Sequence, residues 1–579
     1  MHVPYQTSMA KTIATMLVQA LVRAGVKRIH GLTGDSLNSI VDEVRQTDGI
    51  EWLSYRHEEA AAFAASAEAQ LTGQLAVCAG SCGPGNLHLI NGLYDAHRSH
   101  APVLAIAAHI PSGEIGTGYF QETHPERLFQ ECSHYCEVIS SARQMPRVLQ
   151  QAMQHAISRE GVAVIALSGD VAVEKVEDDY LVHDVSLPSP RLLPSEGELQ
   201  RLSALINENQ RITILAGSGC AHARDQVLAL CERLQAPLVY ALRGKEWLEA
   251  DNPYAVGLTG LIGFASAHQA IQAAEVLLML GTDFPYKDWL PRDAKIVQID
   301  KRAEHLGRRS HLEMGLVGHI DQTLDALLPL IDAKTEASHL IQYRNDYLKL
   351  QEKLISDEDG KGYIHPPSIA YHLSQLAPAN TIFTCDVGTP TVWAARNLQL
   401  KQGQRLLGSF SHGSMASAMV HAIGAQHAYP ERPVIALCGD GGFAMLMGEL
   451  LTIRQYKLPI KLVIFNNASL GFVAIEMKTA GLPPFGIHLD NPDFARLAAS
   501  MGIKGIRLEK RENIGLALEE MLAHEGPVLL DVIVNPEELS MPPEIKLEQA
   551  YGFSMYMIKE TLRGNGKKVV NTIVSNIIE

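Results

Sequence analysis

Nowhere in the 579 residues do about twenty uncharged apolar residues run together, which excludes an ordinary membrane-spanning helix. No apolar stretch follows a basic start, so no secretory leader is expected and the chain reads as cytoplasmic. Positive charge is short as well. The 49 Lys and Arg face 64 Asp and Glu, for a net charge of -15. Nucleic acid is thereby removed as a partner, because phosphate contacts need clustered basic side chains. Cysteine is sparse, with eight in all, and the close pairs Cys78/Cys82 and Cys132/Cys136 are spaced by three residues rather than the two of zinc sites. The thiols are expected to be buried and reduced. What remains is ordinary soluble composition, 46% apolar and 20% charged, in a chain long enough for roughly three or four domains.

Predicted strands alternate with amphipathic helices almost throughout, the pattern of parallel sheets covered on both faces. Residues 12–24 read as a helix, followed by a strand over Lys27–Gly31. Pro-rich stretches near 187–194 and 365–368 suggest boundaries at about 190 and 345–365. The expected division is 1–190, 191–345, 346–537 and a C-terminal segment 538–579. A faint repeat relates the first and third parts. Strand Leu75–Ala79 leads into Gly83 and later Pro102, a separation of 19; strand Val434–Leu437 leads into Gly439 and later Pro459, a separation of 20. The fold class is therefore α/β, with three doubly wound parallel-sheet domains and the first and third related.

The sharpest signal runs from Gly439-Asp440-Gly441 to Asn466-Asn467, with 24 residues between. The triplet ends a buried strand and opens a helix, so its backbone N–H groups face an anion. Asp440 and Asn467 offer hard oxygens, and magnesium takes few protein oxygens together with substrate phosphate oxygens. A lone Gly-Asp-Gly is a common turn; joined to the paired asparagines it is specific. This pairing resembles the signature of thiamine diphosphate enzymes. The resemblance implies Asp440, Asn467 and the Ser469 carbonyl as metal ligands. It also implies that Gly441, Gly442 and the run Ala468-Ser469-Leu470-Gly471-Phe472-Val473 line the cofactor.

By the same resemblance Glu58, in Arg56-His57-Glu58-Glu59 ahead of the small-residue helix 60–69, is the carboxylate set against the thiamine pyrimidine. On residue type alone, Glu58 and Glu59 equally suit a solvated helix N-terminus. Within Gly408–Met415, Met415 resembles the wedge that bends the cofactor, beside Ser414, and the Gly413 carbonyl resembles the acceptor for its amino group.

Resemblance to the pyruvate oxidase and acetolactate synthase family covers essentially the whole chain. It is nearest the quinone-linked oxidases, through stretches such as 78–88, 118–125, 385–393 and 470–473. It implies oxidative decarboxylation of pyruvate to acetate, with electrons passing through FAD to membrane ubiquinone. Gln121 would hold the substrate carboxylate or carbonyl, Phe120, Val387 and Phe472 would form an apolar wall, and Glu476 would relay a proton. In the middle part, Gly217-Ser218-Gly219 is followed by His222, so the six-residue dinucleotide fingerprint fails and NAD bound in the usual way is disfavoured. Thr259-Gly260-Leu261-Ile262, Thr282-Asp283-Phe284-Pro285-Tyr286 and Asp300 resemble FAD-binding loops. A homotetramer is implied, with each thiamine between two chains. Ser168 stands where these enzymes often carry proline, and the first eight residues have no assigned role.

From Gly566 onward, Val569, Ile573 and Ile577, with Val570, Val574 and Ile578, form one apolar helical stripe behind Lys567 and Lys568. Such a helix suits either an anionic phospholipid surface or docking on protein. The resemblance favours the lipid, and hence a peripheral place on the inner face of the cell membrane. Carboligation, as in acetolactate synthases, and oxidation to acetyl phosphate are the alternatives.

Overall fold

The computed structural model describes residues 11–176, 185, 191–356, 363–538 and 553–559. It contains three six-stranded sheets, all parallel among the described strands. The first holds β1 (Arg28–Gly31), β2 (Glu51–Ser54), β3 (Ala76–Gly80), β4 (Val103–His109), β5 (Tyr135–Ile139) and β6 (Val162–Ser168), in the order β2-β1-β3-β4-β6-β5. The middle sheet holds β7 (Ile212–Ala216), β8 (Leu238–Tyr240), β9 (Ala255–Leu258), β10 (Val276–Leu280), β11 (Lys295–Asp300) and β12 (Met314–Val317), in the order β12-β11-β10-β7-β8-β9. The third holds β13 (Ile382–Cys385), β14 (Arg405–Gly408), β15 (Val434–Gly439), β16 (Lys461–Asn466), β17 (Lys504–Leu508) and β18 (Val528–Ile533), in the order β14-β13-β15-β16-β18-β17.

Counted within each sheet, the first and third share the order 2-1-3-4-6-5, the relation that the spacing of 19 and 20 residues suggests. Central strands such as β4 and β6 are buried along their whole length. That explains their uninterrupted apolar runs, since helices cover both faces.

Local chemistry sets the helices. Thr12 caps Ile13–Arg23 in a reciprocal arrangement with Thr15. His57 caps Glu58–Thr72 by accepting the Glu59 N–H, and left-handed Gly73 ends it. This helix is longer than the alanine run alone indicates and is buried on most sides. Two neighbours approach it through glycine. A Cβ at Gly92, on helix Pro84–Arg98, would lie 2.5 Å from the Ala62 Cβ, and one at Gly424, on helix Ser417–Ala428, would collide with the Ala64 carbonyl. The Glu58 helix is thus clamped between the first and third domains.

Residue 345 falls inside helix Ser338–Ser356, whose Tyr343 and Tyr347 are buried in the core of the middle domain. The proline signal of 365–368 marks the start of the next helix, Pro366–Leu376. All eight cysteines are free, and seven are buried. No helix among the described residues is long and apolar enough to cross a membrane. The C-terminal stripe from Gly566 and the first eight residues lie outside the described residues.

Candidate active site

β15 and β16 are direct neighbours, with Gly439 opposite Phe465, so Asp440 and Asn467 leave adjacent strand ends. Asp440 begins helix Asp440–Leu446 and is buried. Burial pushes its carboxyl up to about 6, against the opposing hydrogen bonds of the Gly441 N–H and the Asn491 amide. Those bonds measure 2.9 and 2.8 Å. Among the described residues no basic side chain pairs with Asp440. Asn467 Oδ1 accepts the Ser469 N–H at 3.1 Å, and the Ser469 carbonyl accepts the Gly471 N–H at 2.9 Å. The donor set is all oxygen and carries one buried, uncompensated carboxylate, which fits a magnesium ion.

The loop that carries these oxygens is braced. Ala468 sits at φ 52°. Leu470 N–H donates to the Ile487 carbonyl at 2.8 Å and Leu489 N–H to the Ala468 carbonyl at 2.9 Å. Gly441 leaves a cradle bounded by Leu470, Leu489 and Met415, each within 3.3 Å of where a Cβ would stand. Met415 is therefore close to the turn. Behind the turn lies buried Asp386, which accepts the Ala418 N–H at 2.8 Å and the Gly439 N–H at 3.1 Å. A Cβ at Gly442 would reach 2.5 Å from its Oδ2.

Glu58 opens its helix and is buried, with Oε2 2.9 Å from His88 Nδ1. Its other oxygen stands 2.9 Å from where a Cβ at Gly85 would be. Gln121, at φ 63°, packs on Gly83 and accepts from the Cys82 thiol at 3.5 Å, so it borders the same turn. Asn91 joins the two domains: it donates to Glu59 Oε1 at 2.7 Å and to Ser414 Oγ at 3.0 Å, and its carbonyl oxygen lies 2.8 Å from His412 Nε2. Gly413, at φ 87°, precedes Ser414 in this loop. A second link is fully buried, with Asp95 Oδ2 3.1 Å from His421 Nε2 and 2.7 Å from the Ser66 hydroxyl that donates to it.

In the middle sheet the strand order reverses between β7 and β10, the place where open α/β sheets bind ligands. Two backbones cross there in contact. A Cβ at Gly217 would stand 2.6 Å from the Gly281 carbonyl, and one at Gly219 would stand 2.6 Å from the Gly281 Cα. Thr259 follows β9, Thr282 follows β10 and Asp300 ends β11, all at carboxyl ends. The Thr259 hydroxyl is buried without a partner, and Gly260, at φ 99°, lies under Phe284 and Tyr286. Asp300 accepts the Arg302 N–H at 2.9 Å, and Asp283 pairs with Arg308 at 2.9 Å. Leu261 and Pro285 lie in the same loops, and Ile262 packs against the cores of both the middle and third domains. A 3-10 turn, Ser218–Cys220, follows Gly217 and the α-helix starts only at Arg224, so β7 does not run through the glycine turn straight into an α-helix as the fingerprint requires.

Phe120 is 78% exposed on the loop before helix Pro125–Leu128, whereas Phe472 packs on the core of the third domain beside the strand end that carries Val387. Glu476 is exposed one turn beyond Phe472 on helix Gly471–Thr479, and Val473 is also exposed. The helix over 553–559 docks on this element. Tyr556 is buried, Lys478 lies 5.7 Å from its ring centre, and Lys559 donates to the Gly481 carbonyl at 2.7 Å.

Sequence reasoning missed His88, Asn91, Asp386 and Asn491. His88 and Asn91 are three apart on one helix, a spacing that puts them on one face, and this was the available signal. Asn491 follows a loop without periodicity and carries none.

Three family models match. The thiamine pyrophosphate enzyme N-terminal TPP binding domain covers residues 11–128, the central domain 199–327 and the C-terminal TPP binding domain 386–532. A putative thiamine pyrophosphate-containing protein, YdaP, of Bacillus subtilis (strain 168) is 36% identical over 551 residues, 95% of this chain and 96% of that protein. The pyruvate oxidase of Lactiplantibacillus plantarum is 28% identical over 556 residues, 94% and 92% of the two chains. The large subunit of acetolactate synthase isozyme 2 of Escherichia coli (strain K12) is 29% identical over 544 residues, 91% and 96%.

Proposed function

We propose, from the premise that the chain belongs to the thiamine pyrophosphate enzyme family, that it decarboxylates pyruvate, passes two electrons through FAD to ubiquinone and releases acetate, whose second oxygen comes from water. The observation that carries the decarboxylation is the pairing of a buried, uncompensated Asp440 with a buried Glu58 on a helix clamped between the first and third domains. When bound, thiamine diphosphate supplies a nucleophilic carbon for the substrate carbonyl and a cationic ring as the sink for the electron pair left by departing carbon dioxide.

The chain's own residues do the rest. Asp440, Asn467 and Ser469 would hold magnesium, and the backbone N–H groups at the start of helix Asp440–Leu446 would face the diphosphate. Glu58 would hold the proton exchanged with the pyrimidine. Gln121 would orient the carboxylate, while Val387 and Phe472 would exclude water and disfavour its charge. Thr259, Thr282 and Asp300 would hold FAD at the crossing of Gly217, Gly219 and Gly281. The exposed Phe120 we assign to a second copy's pocket, consistent with a homotetramer.

The oxidase reading over the carboligase is supported by the helix over 553–559, which docks on the element carrying Phe472 and Glu476. A C-terminal segment that meets phospholipid at the cell membrane can thereby bias the site. Carboligation has its own support in the acetolactate synthases, which match over nine-tenths of this chain at 29–31% identity. Anaerobic mixing of the protein, thiamine diphosphate and magnesium with pyruvate separates the two. Bleaching of the flavin absorbance, restored by a quinone analogue as acetate accumulates, is the expected result. Flavin that stays oxidised while acetolactate appears would make the chain a carboligase.

A further inference from the structure

Glu58 belongs to a second arrangement that the thiamine chemistry does not use. His57, Glu58 and His88 each present one ligand atom within 4.8 Å of the other two. Their elements force this meeting: His57 and Glu58 straddle the start of one helix, and His88 faces them from the first turns of helix Pro84–Arg98. The imidazole rings stack with centres 4.3 Å apart, tilted by 25°. Each member is held in place. The Glu59 N–H donates to His57 Nδ1 at 3.2 Å and fixes the plane of that ring. The Gly85 backbone backs one Glu58 oxygen and leaves Oε2 toward His88, at 2.9 Å. Arg56, the adjacent basic residue, turns away to Gln455 at 2.7 Å.

We propose that His57, Glu58 and His88 form a binding site for a borderline transition cation such as zinc, and that this cation and thiamine diphosphate exclude one another. Two imidazole nitrogens and one carboxylate oxygen are a nitrogen-rich set that suits zinc, whereas magnesium takes oxygen. The two sites therefore sort cations by chemistry, with magnesium directed to Asp440. The His88 side chain is 43% exposed, which leaves an open position for water and a path for entry. Zinc on Glu58 blocks the oxygen that would take the pyrimidine proton, so the ion acts as an inhibitor of cofactor loading. This exclusion rests on the reading of Glu58 given above; the metal site itself does not.

The test uses the full chain, freed of thiamine diphosphate and metals by dialysis against chelator, and titrated with zinc chloride by calorimetry. One zinc per chain is expected at this site. His57→Asn keeps a capping side chain, and His88→Ala removes a half-exposed ring, so both variants should melt like the parent. Each should weaken zinc binding by more than about tenfold, as loss of a ligand does at least what loss of its support does. Preloading with thiamine diphosphate and magnesium should abolish zinc uptake. Zinc affinity and stoichiometry unchanged in both variants, or no zinc bound by the parent, would overturn the site. Zinc that depends on both histidines yet binds equally well beside thiamine diphosphate would leave the site standing, and would overturn the exclusion together with the role given to Glu58.

Discussion

Replacing Asp95 by alanine tests how the first and third domains are joined. The carboxylate and His421 are both fully buried, 3.1 Å apart, with Ser66 completing a tie among three helices. Burial pushes the Asp95 carboxyl up, but the His421 charge and its hydrogen bond, with the Ser66 hydroxyl, outweigh that and hold it below the usual range. Removing one partner of a buried pair leaves the other desolvated and costs about 3–5 kcal/mol. Asp95→Asn keeps the shape and one acceptor, so its loss should be smaller than that of alanine by about the 0.5–1.5 kcal/mol an uncharged hydrogen bond is worth. Urea unfolding followed by circular dichroism reads both values. Asp95→Ala combined with His421→Ala should cost less than the sum of the single changes, by about 1–3 kcal/mol. Because a carboxyl held low contributes stability only above its unfolded pKa, the gap between parent and Asp95→Ala should narrow as the pH falls below about 4. An alanine variant within about 0.5 kcal/mol of the parent, or strictly additive changes, would refute the reasoning.

Three other outcomes are expected. Gly424→Ala drives a methyl into the Ala64 carbonyl and should cost about 1–3 kcal/mol; thermal unfolding measures it, and because the displaced helix carries Glu58, thiamine diphosphate affinity should fall as well. Gly85→Ala places a carbon 2.9 Å from Glu58 Oε1, and should reduce turnover while leaving the melting temperature within a few degrees; a stopped-assay comparison with the parent decides. Burial first, then Arg302 and Arg243, lower His100 to about 3. The unfolded chain takes up that proton near pH 6.5 and the folded chain does not, so stability should drop by about 1.4 kcal/mol per pH unit between pH 6 and 4, and His100→Asn should flatten that slope in a series of urea titrations.

Much of the framework can be read along the chain because buried parallel strands are continuous apolar runs closed by glycine; Ile212–Ala216 coincides with β7. Asp440 stands out because it sits where an apolar run gives way to a helix start, and Glu58 because it opens a run of small residues. Residues supplied by tertiary approach do not stand out. Asn491 meets Asp440 from a loop 51 positions away, and Asn91 meets Ser414 from 323 positions away. The surroundings of Phe120 are illegible for a related reason: an aromatic beside Gln121 says what the residue is, and not that its loop leaves it exposed on the single chain. At 345, proline punctuation marks where the next helix starts, while the helix before it carries on with good helix formers to Ser356.

The repeated strand order 2-1-3-4-6-5 means that the chain writes the same address twice. The end of the third strand carries Gly83-Pro84 in one copy and Gly439-Asp440 in the other. One copy kept the spot lean and brought in a carboxylate from the neighbouring helix; the other placed the carboxylate at the spot itself. A ligand with two unlike ends can then be read by a single scaffold used twice, and either reading can drift in sequence without rewriting the other.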